Sequence, residues 1–370
     1  MNFLFQTKIL FLCFLLACSQ EDQDDTILGN LTVTFEFTED NPATVFVKAD
    51  ASNADYYEFY PGDNTENIIN KSGLISYTYT SSGSYATELK AYDPSGMFRR
   101  HNETLTIILD EKLDMTDGYV TPLNHEGYAL VWQDEFNGSS LNTSLWNYEI
   151  GRGSNGWGNN ELQYYRQENA TVENGYLTIQ VKNETFNGAL YTSSRLTTQN
   201  KYQFQYGRVD IRARMPYGQG LWPALWMLGA NITSIGWPAC GEIDIMEMIG
   251  GGEGRDDTVH GTIHWQDPNG NAGNNNHAYI GGSKQLQEGT LADEFHVYTV
   301  IWDDEKIIWY LDDQQYFTND ITNADLMELR NQFFFIINVA VGGNWPGSPT
   351  SATVFPQKMN VDYIRVFQPN

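Results

Sequence analysis

The stretch Trp237-Pro238-Ala239-Cys240-Gly241-Glu242-Ile243-Asp244-Ile245-Met246-Glu247-Met248 decides how this chain is read. Acids and aliphatic side chains interleave in it as in a half-buried strand, where successive side chains point to opposite faces. Glu242 and Asp244 then share one face, while Ile243 and Ile245 enter the apolar layer on the other. Strict alternation would send Glu247 into that layer as well. A lone buried carboxylate is costly, so one extra residue at Ile245-Met246, a β-bulge, is the simplest repair and returns Glu247 to the acidic face.

Carboxyl groups crowded on one surface repel one another, and the crowding raises some of their pKa values, as a general acid near neutral pH requires. Retaining cleavage of a glycosidic bond needs such a pair: one carboxylate to attack the anomeric carbon and one protonated carboxyl for the leaving oxygen, about 5–5.5 Å apart. A solvated acidic strand or a cation site would use the same residues, and the spacing alone leaves all three readings open.

Strand-like runs continue from there to the C-terminus: Tyr176–Val181, Gly207–Arg214, Phe295–Val300, Ile307–Leu311 and Val361–Phe367. Many short strands, glycine-rich turns and no helical periodicity predict a two-sheet sandwich or jelly roll. Upstream, short alternating runs such as Leu31–Phe37 and Thr44–Val47 predict a smaller antiparallel sandwich. The polar, turn-rich stretch from Asp110 to Gly127 reads as a linker between them. A chain of 370 residues has room for two such units behind a targeting segment.

The formal charge, 21 − 47 = −26, argues against nucleic acid and against sulfated polysaccharides as partners, since repulsion would oppose every encounter. At the N-terminus Lys8 precedes the apolar run Ile9–Ala17, which is too short to span a bilayer and reads as a signal peptide. Its end, Leu15-Leu16-Ala17-Cys18-Ser19, resembles a bacterial lipobox with Cys18 as the lipidated residue. The acidic run Gln20–Asp25 is similar to the surface-export signals of Bacteroidetes-type lipoproteins. An outward-facing outer-membrane lipoprotein follows, with plain secretion as the alternative. Cys240 is then the remaining thiol, with no disulfide partner, and suits a small buried position better than a nucleophile.

Glu242-Ile243-Asp244-Ile245-Met246-Glu247, flanked by Gly220–Gly229 and Gly236-Trp237-Pro238, resembles glycoside hydrolase family 16 in its laminarinase (endo-1,3-β-glucanase) branch. The resemblance runs from Trp132-Gln133-Asp134-Glu135-Phe136 to Asp362–Val366. It implies a concanavalin-like β-jelly roll with an open cleft on the concave sheet, and retaining endo-cleavage of β-1,3 linkages in a neutral, laminarin-like β-glucan. By motif position Glu242 is the nucleophile, Glu247 the acid/base and Asp244 the group that orients Glu242. Trp222, Trp226 and Trp237 correspond to cleft aromatics, and Trp345, in Gly342–Gly347, is a further one. Asn159, Glu161 and Arg195 match polar positions near the cleft ends. Alternation in Thr258–Trp265 puts His260, Thr262 and His264 on one face, with His264 the favoured contact to sugar hydroxyls.

Catalysis of this kind needs no cofactor. The resemblance also implies a structural calcium on the convex side, held by Glu135, the Gly175 carbonyl and Asp362, a hard-oxygen set that suits that ion. Tyr57–Asp63, Tyr77–Tyr85 and Ala91–Gly96 are similar to a polycystic-kidney-disease-type Ig-like domain, read as a spacer. The expected organisation is a lipoprotein signal peptide at 1–17, an acidic tether at 18–29, an Ig-like sandwich at 30–110, a linker at 111–127 and a catalytic jelly roll at 128–370, acting as a monomer. The competing readings are a family-16 hydrolase of a red-algal galactan (agar, porphyran or carrageenan) and a catalytically idle, glycan-binding surface lipoprotein.

Overall fold

A computed structural model of the chain describes residues 27–370 apart from 39–40, 82, 108–116, 269 and 271–275. The signal peptide, Cys18 and most of the acidic tether lie outside the described residues. The chain divides into two compact units, Met1–Leu113 and Asp114–Asn370. Both are built of strands, and among the described residues the α-helix is a single turn, Ile232–Ile235.

In the first unit Thr32–Thr38, Asn41–Asp50 and Leu74–Thr78 form one antiparallel sheet, and Ile68–Asn70, Tyr56–Tyr60, Gly83–Tyr92 and Phe98–Ile107 form another. Val45, Val47 and Ile75 from the first sheet join Phe59, Leu89 and Ala91 from the second in a shared core. This is the expected small sandwich.

The second unit also has two sheets. The one that carries the acids has the order His277–Gln285, Thr258–Gln266, Glu242–Glu247, Leu221–Gly229, Phe333–Val341, Arg195–Thr197 and Asn147–Tyr148. The other, the back sheet, has Gln357–Pro369, Gly207–Arg214, His296–Trp302 and Lys306–Leu311 as consecutive neighbours at its centre. Alternate residues of each, such as Met227, Ile243 and Ile337 on one and Val209, Ile211 and Ile364 on the other, are sealed in one core. Fully burying each such side chain stabilises the fold by roughly 1.5–3 kcal/mol. Phe333–Val341 is buried along its whole length, which explains its unbroken apolar sequence apart from Asn338.

The bulge falls at Ile245-Met246. Leu225 pairs with Met246 and Trp226 with Asp244, so Ile245 has no partner on that side; on the other side Asp244 pairs with Thr262 and Glu247 with His260. Ile243, Ile245 and Met246 are buried, while Glu242 and Glu247 remain partly accessible.

One expectation needs correction. From Asp117 onward the segment read as a linker is bound to the second unit. Tyr119 N–H donates to Phe295 O (2.9 Å), Thr121 N–H to the Tyr363 hydroxyl oxygen (2.9 Å), and His125 Nε2 to Asp210 Oδ2 (3.0 Å). Thr121 is buried. Polar side chains along a segment signal a linker only when they lack partners, and here buried back-sheet residues supply them.

Candidate active site

Strand register sets out the site in rungs across the acidic sheet. One rung reads Tyr279, His264, Glu242, Leu228; the next Gly281, Thr262, Asp244, Trp226; the third Ser283, His260, Glu247, Ala224, Asn338, Arg195. The bulge therefore puts the three acids on successive rungs of one face, with Asp244 in the middle. Asp244 is fixed twice: its backbone carbonyl accepts from Trp309 Nε1 (2.8 Å) and its carboxylate Oδ2 accepts from His264 Nε2 (3.0 Å).

The outer two acids each receive an indole N–H. Trp237 Nε1 donates to Glu242 Oε2 (2.9 Å), and Trp222 Nε1 donates to Glu247 Oε1 (2.9 Å). Their carboxyls are nevertheless shifted upward. Burial, then the charge of Asp244, lifts Glu242 to about 7, against the pull of His264, Trp237 and Arg195. Burial, Asp244 and then Glu242 hold Glu247 well above the usual carboxylate range. The acids form one coupled system, so a proton taken up near neutrality belongs to the set and resides preferentially on Glu247. Burial alone would depress the His264 imidazole, yet Glu242, Asp244 and Glu247 carry it up to about 9.

These residues line an open cleft of about 780 Å³. Its walls are aromatic: Trp222 meets Trp345 edge-on at 5.6 Å, Trp237 lies 4.5 Å from His277, and Arg195 is held between Trp157 (4.5 Å) and Trp226 (4.9 Å) by cation–π contact. The Arg195 side chain also pairs with Glu149. Trp226 Nε1 donates to Asn338 Oδ1 (2.8 Å), which ties the ring to the sheet. Indole faces kept partly open beside polar groups suit the C–H face of a sugar ring.

Residues 158–365 match the family described as Glycosyl hydrolases family 16. The chain belongs to this family. Among curated relatives it is 41% identical over 244 residues to the clotting factor G alpha subunit of Tachypleus tridentatus, covering 65% of this chain and 34% of that protein. It is 39% identical over 287 residues to glucan endo-1,3-beta-glucosidase A1 of Niallia circulans, covering 70% and 41% respectively. It thus spans well under half the length of either. Among solved structures, the laminarinase catalytic domain from Thermotoga maritima is 44% identical, with a TM-score of 0.61 over 66% of this chain and all of that one.

Within this family-16 unit, Trp222, Trp226, Trp237, Trp345, His264, Asn159, Glu161 and Arg195 all line the cleft with the three acids. Glu161 is buried and accepts from Gln163 Nε2 (2.6 Å), the Tyr165 hydroxyl (3.3 Å) and Asn159 Nδ2 (3.3 Å), so it supports the wall more than it faces a ligand. Sequence reasoning missed Trp157, His277, Tyr279 and Asn338. Trp157 sits in the Gly156–Asn160 turn at positive φ, a conformation that Gly156-Trp157-Gly158 does not announce. His277 and Tyr279 alternate on their strand as His264 does on its neighbour, a signal legible only once the two strands are known to pair.

Asp362 lies on the back-sheet strand Gln357–Pro369, Glu135 just past the end of the strand Tyr128–Asp134 paired with it, and Gly175 in the turn before Tyr176; none of the three lines the cleft. Both oxygens of Glu135 accept from Arg365 (2.7 and 2.8 Å), and Asp362 Oδ2 accepts from Arg212 Nη1 (2.7 Å). Gly175 turns the chain ahead of Tyr176 at φ +89°. The negative charge a cation would meet is already matched by two guanidinium groups. Cys240 is buried, and burial raises its thiol to about 12, so it is an inert packing residue.

Proposed function

We propose that the family-16 unit is a retaining endo-1,3-β-glucanase acting on a neutral, laminarin-like glucan. The observation that carries this reading is the pair Glu242 and Glu247, on one face either side of Asp244, each with an indole N–H donor and each held above its ordinary pKa in an open, aromatic cleft. Glu247, the more strongly raised, gives its proton to the glycosidic oxygen as that bond breaks. Glu242 attacks the anomeric carbon and forms a covalent glycosyl ester. Glu247, now a carboxylate, then takes a proton from water, whose oxygen displaces Glu242 and restores both groups. Asp244, buried beside Glu242 and bonded to His264, orients the nucleophile.

The substrate assignment draws on relatives described as endo-1,3-beta-glucosidase and laminarinase, and on a lining whose one guanidinium, Arg195, is already paired with Glu149. An open cleft lets a chain bind across the acids, which favours cleavage within the polymer. Product analysis on laminarin tests the reading, with wild type beside Glu242→Ala. Short β-1,3 oligosaccharides from wild type alone are expected. Products on agarose and none on laminarin would overturn the substrate, and no product on either would leave a glycan-binding protein.

The remaining assignments are proposals of the same kind. The Ig-like sandwich serves as a spacer of polycystic-kidney-disease type, and Cys18 carries the lipid of an outer-membrane lipoprotein; Cys18→Ser should release the protein from membranes. A calcium at Glu135, Gly175 and Asp362 has the least support, given the guanidinium partners, and an unchanged melting temperature in EDTA would remove it.

A further inference from the structure

His264 Nδ1 lies 2.7 Å from His277 Nε2, and the two rings stack at 4.9 Å. Two imidazole nitrogens at that distance need one hydrogen between them, so one donates and the other offers its lone pair. The opposite nitrogen of His264, Nε2, faces Asp244 Oδ2 at 3.0 Å and Glu242 Oε1 at 3.6 Å, and must carry a hydrogen to donate to a carboxylate. If His277 supplies the lone pair, both nitrogens of His264 are protonated and the ring is a cation. We propose that His277 is a positioning residue for the reaction: it accepts from His264 Nδ1, keeps that ring doubly protonated, and so keeps the Glu242 nucleophile ionised.

The surroundings favour this tautomer. On the acidic strand Glu242, Asp244 and Glu247 all face His264 and stabilise a positive ring. His277 meets His264, the Trp237 ring and Tyr279, with Asp244 the acid that acts on it. Burial, then the charge of His264, depress the His277 imidazole, which leaves its nitrogen free to accept at neutral pH. Glu328, on the 3₁₀ segment packed at that strand end, is engaged by the Gln266 backbone N–H (3.0 Å). Without an acceptor at position 277, His264 Nδ1–H has no partner, the ring loses its proton more readily, and Glu242 loses the adjacent cation that opposes Asp244.

This inference rests on the glucanase reading, and the test separates the two. The pH dependence of kcat/KM is measured on laminarin for wild type, His277→Phe and His277→Gln. Phe keeps a ring against Trp237 and Tyr279 but removes the lone pair; Gln restores an acceptor. The acidic limb of His277→Phe is expected to move up by on the order of half a pH unit or more, with kcat falling below that limb, and His277→Gln to return toward wild type. If the limb stays in place and only KM rises, His277 is merely part of the cleft wall and the inference fails. If wild type cleaves no β-glucan, the glucanase reading fails. The His pair is then tested alone by ¹⁵N-histidine NMR at pH 7, where a His264 ring with one protonated nitrogen would overturn it.

Discussion

Two acids on opposite sheets of the family-16 unit, Asp210 and Glu242, are buried to opposite effect. On the back sheet Asp210 is inaccessible to solvent and burial pushes its carboxyl up. Hydrogen bonding from His125, the charge of Arg208 and the Thr299 hydroxyl overcome that push and bring it below the ordinary value. On the cleft sheet Glu242 is pushed the same way by burial, and the charge of Asp244 adds to the shift. On the back sheet Arg208 stands against Asp210, and Arg212 against Asp362, whose carboxyl burial still holds above its ordinary value; the cleft sheet places acids side by side with a histidine as their closest cation. Matched acids hold the fold, and mismatched acids keep a proton available for chemistry.

The contrast can be broken most sharply through activity. Glu247→Gln keeps the shape and the Trp222 contact but has no proton to give, so kcat/KM on laminarin should fall about 10²–10⁴-fold while the melting temperature holds. A variant that kept activity would mean that the mismatch on the cleft sheet does no chemistry. The converse change is Asp210→Ala, which leaves His125 and Arg208 beside a buried gap. It should cost about 3 kcal/mol in denaturant unfolding, with kcat little altered in the folded fraction.

The smallest effect concerns the sign of the pH dependence of stability. Glu242 has a folded-state pKa of about 7, above its ordinary 4.5, so its contribution is full below 4.5 and is lost as pH rises through 7. Asp210 is lowered, so its contribution is present above its ordinary 3.8 and is lost as pH falls through its lower folded value. Glu242→Gln should therefore raise stability at pH 7.5 by about 1 kcal/mol, roughly 2–4 °C in melting temperature, and give no gain at pH 4. A gain of equal size at both pH values would show that packing, and not charge, explains it.

The cleft sheet was the more legible of the two in sequence. Alternation with one misfit, Glu247, located the bulge at Ile245-Met246, because a period of two leaves a buried carboxylate no other way out. The back sheet hid its chemistry in the same period. Asp210 and Arg212 alternate with Val209, Ile211 and Ala213 as solvent-facing residues would, yet both are inaccessible. Their cover is the segment from Asp117, whose carbonyls at Asp117 and Tyr119 accept from Arg212. Periodicity reports which face a side chain takes, and what covers that face comes from elsewhere in the chain. His277 was missed for the same reason, since its role depends on the strand beside it.

The central claim, that Glu242 attacks and Glu247 handles the proton, is tested most directly by azide rescue of Glu242→Ala and Glu247→Ala on an activated β-1,3-glucoside, with the product anomer read by NMR. In Glu242→Ala azide fills the space of the lost carboxylate and displaces the leaving group in one step, so an α-glycosyl azide is expected. In Glu247→Ala, Glu242 still forms the ester and azide opens it in a second inversion, so a β-glycosyl azide is expected. The reverse pairing of anomers, or unassisted turnover by both variants at the wild-type rate, would contradict the assignment.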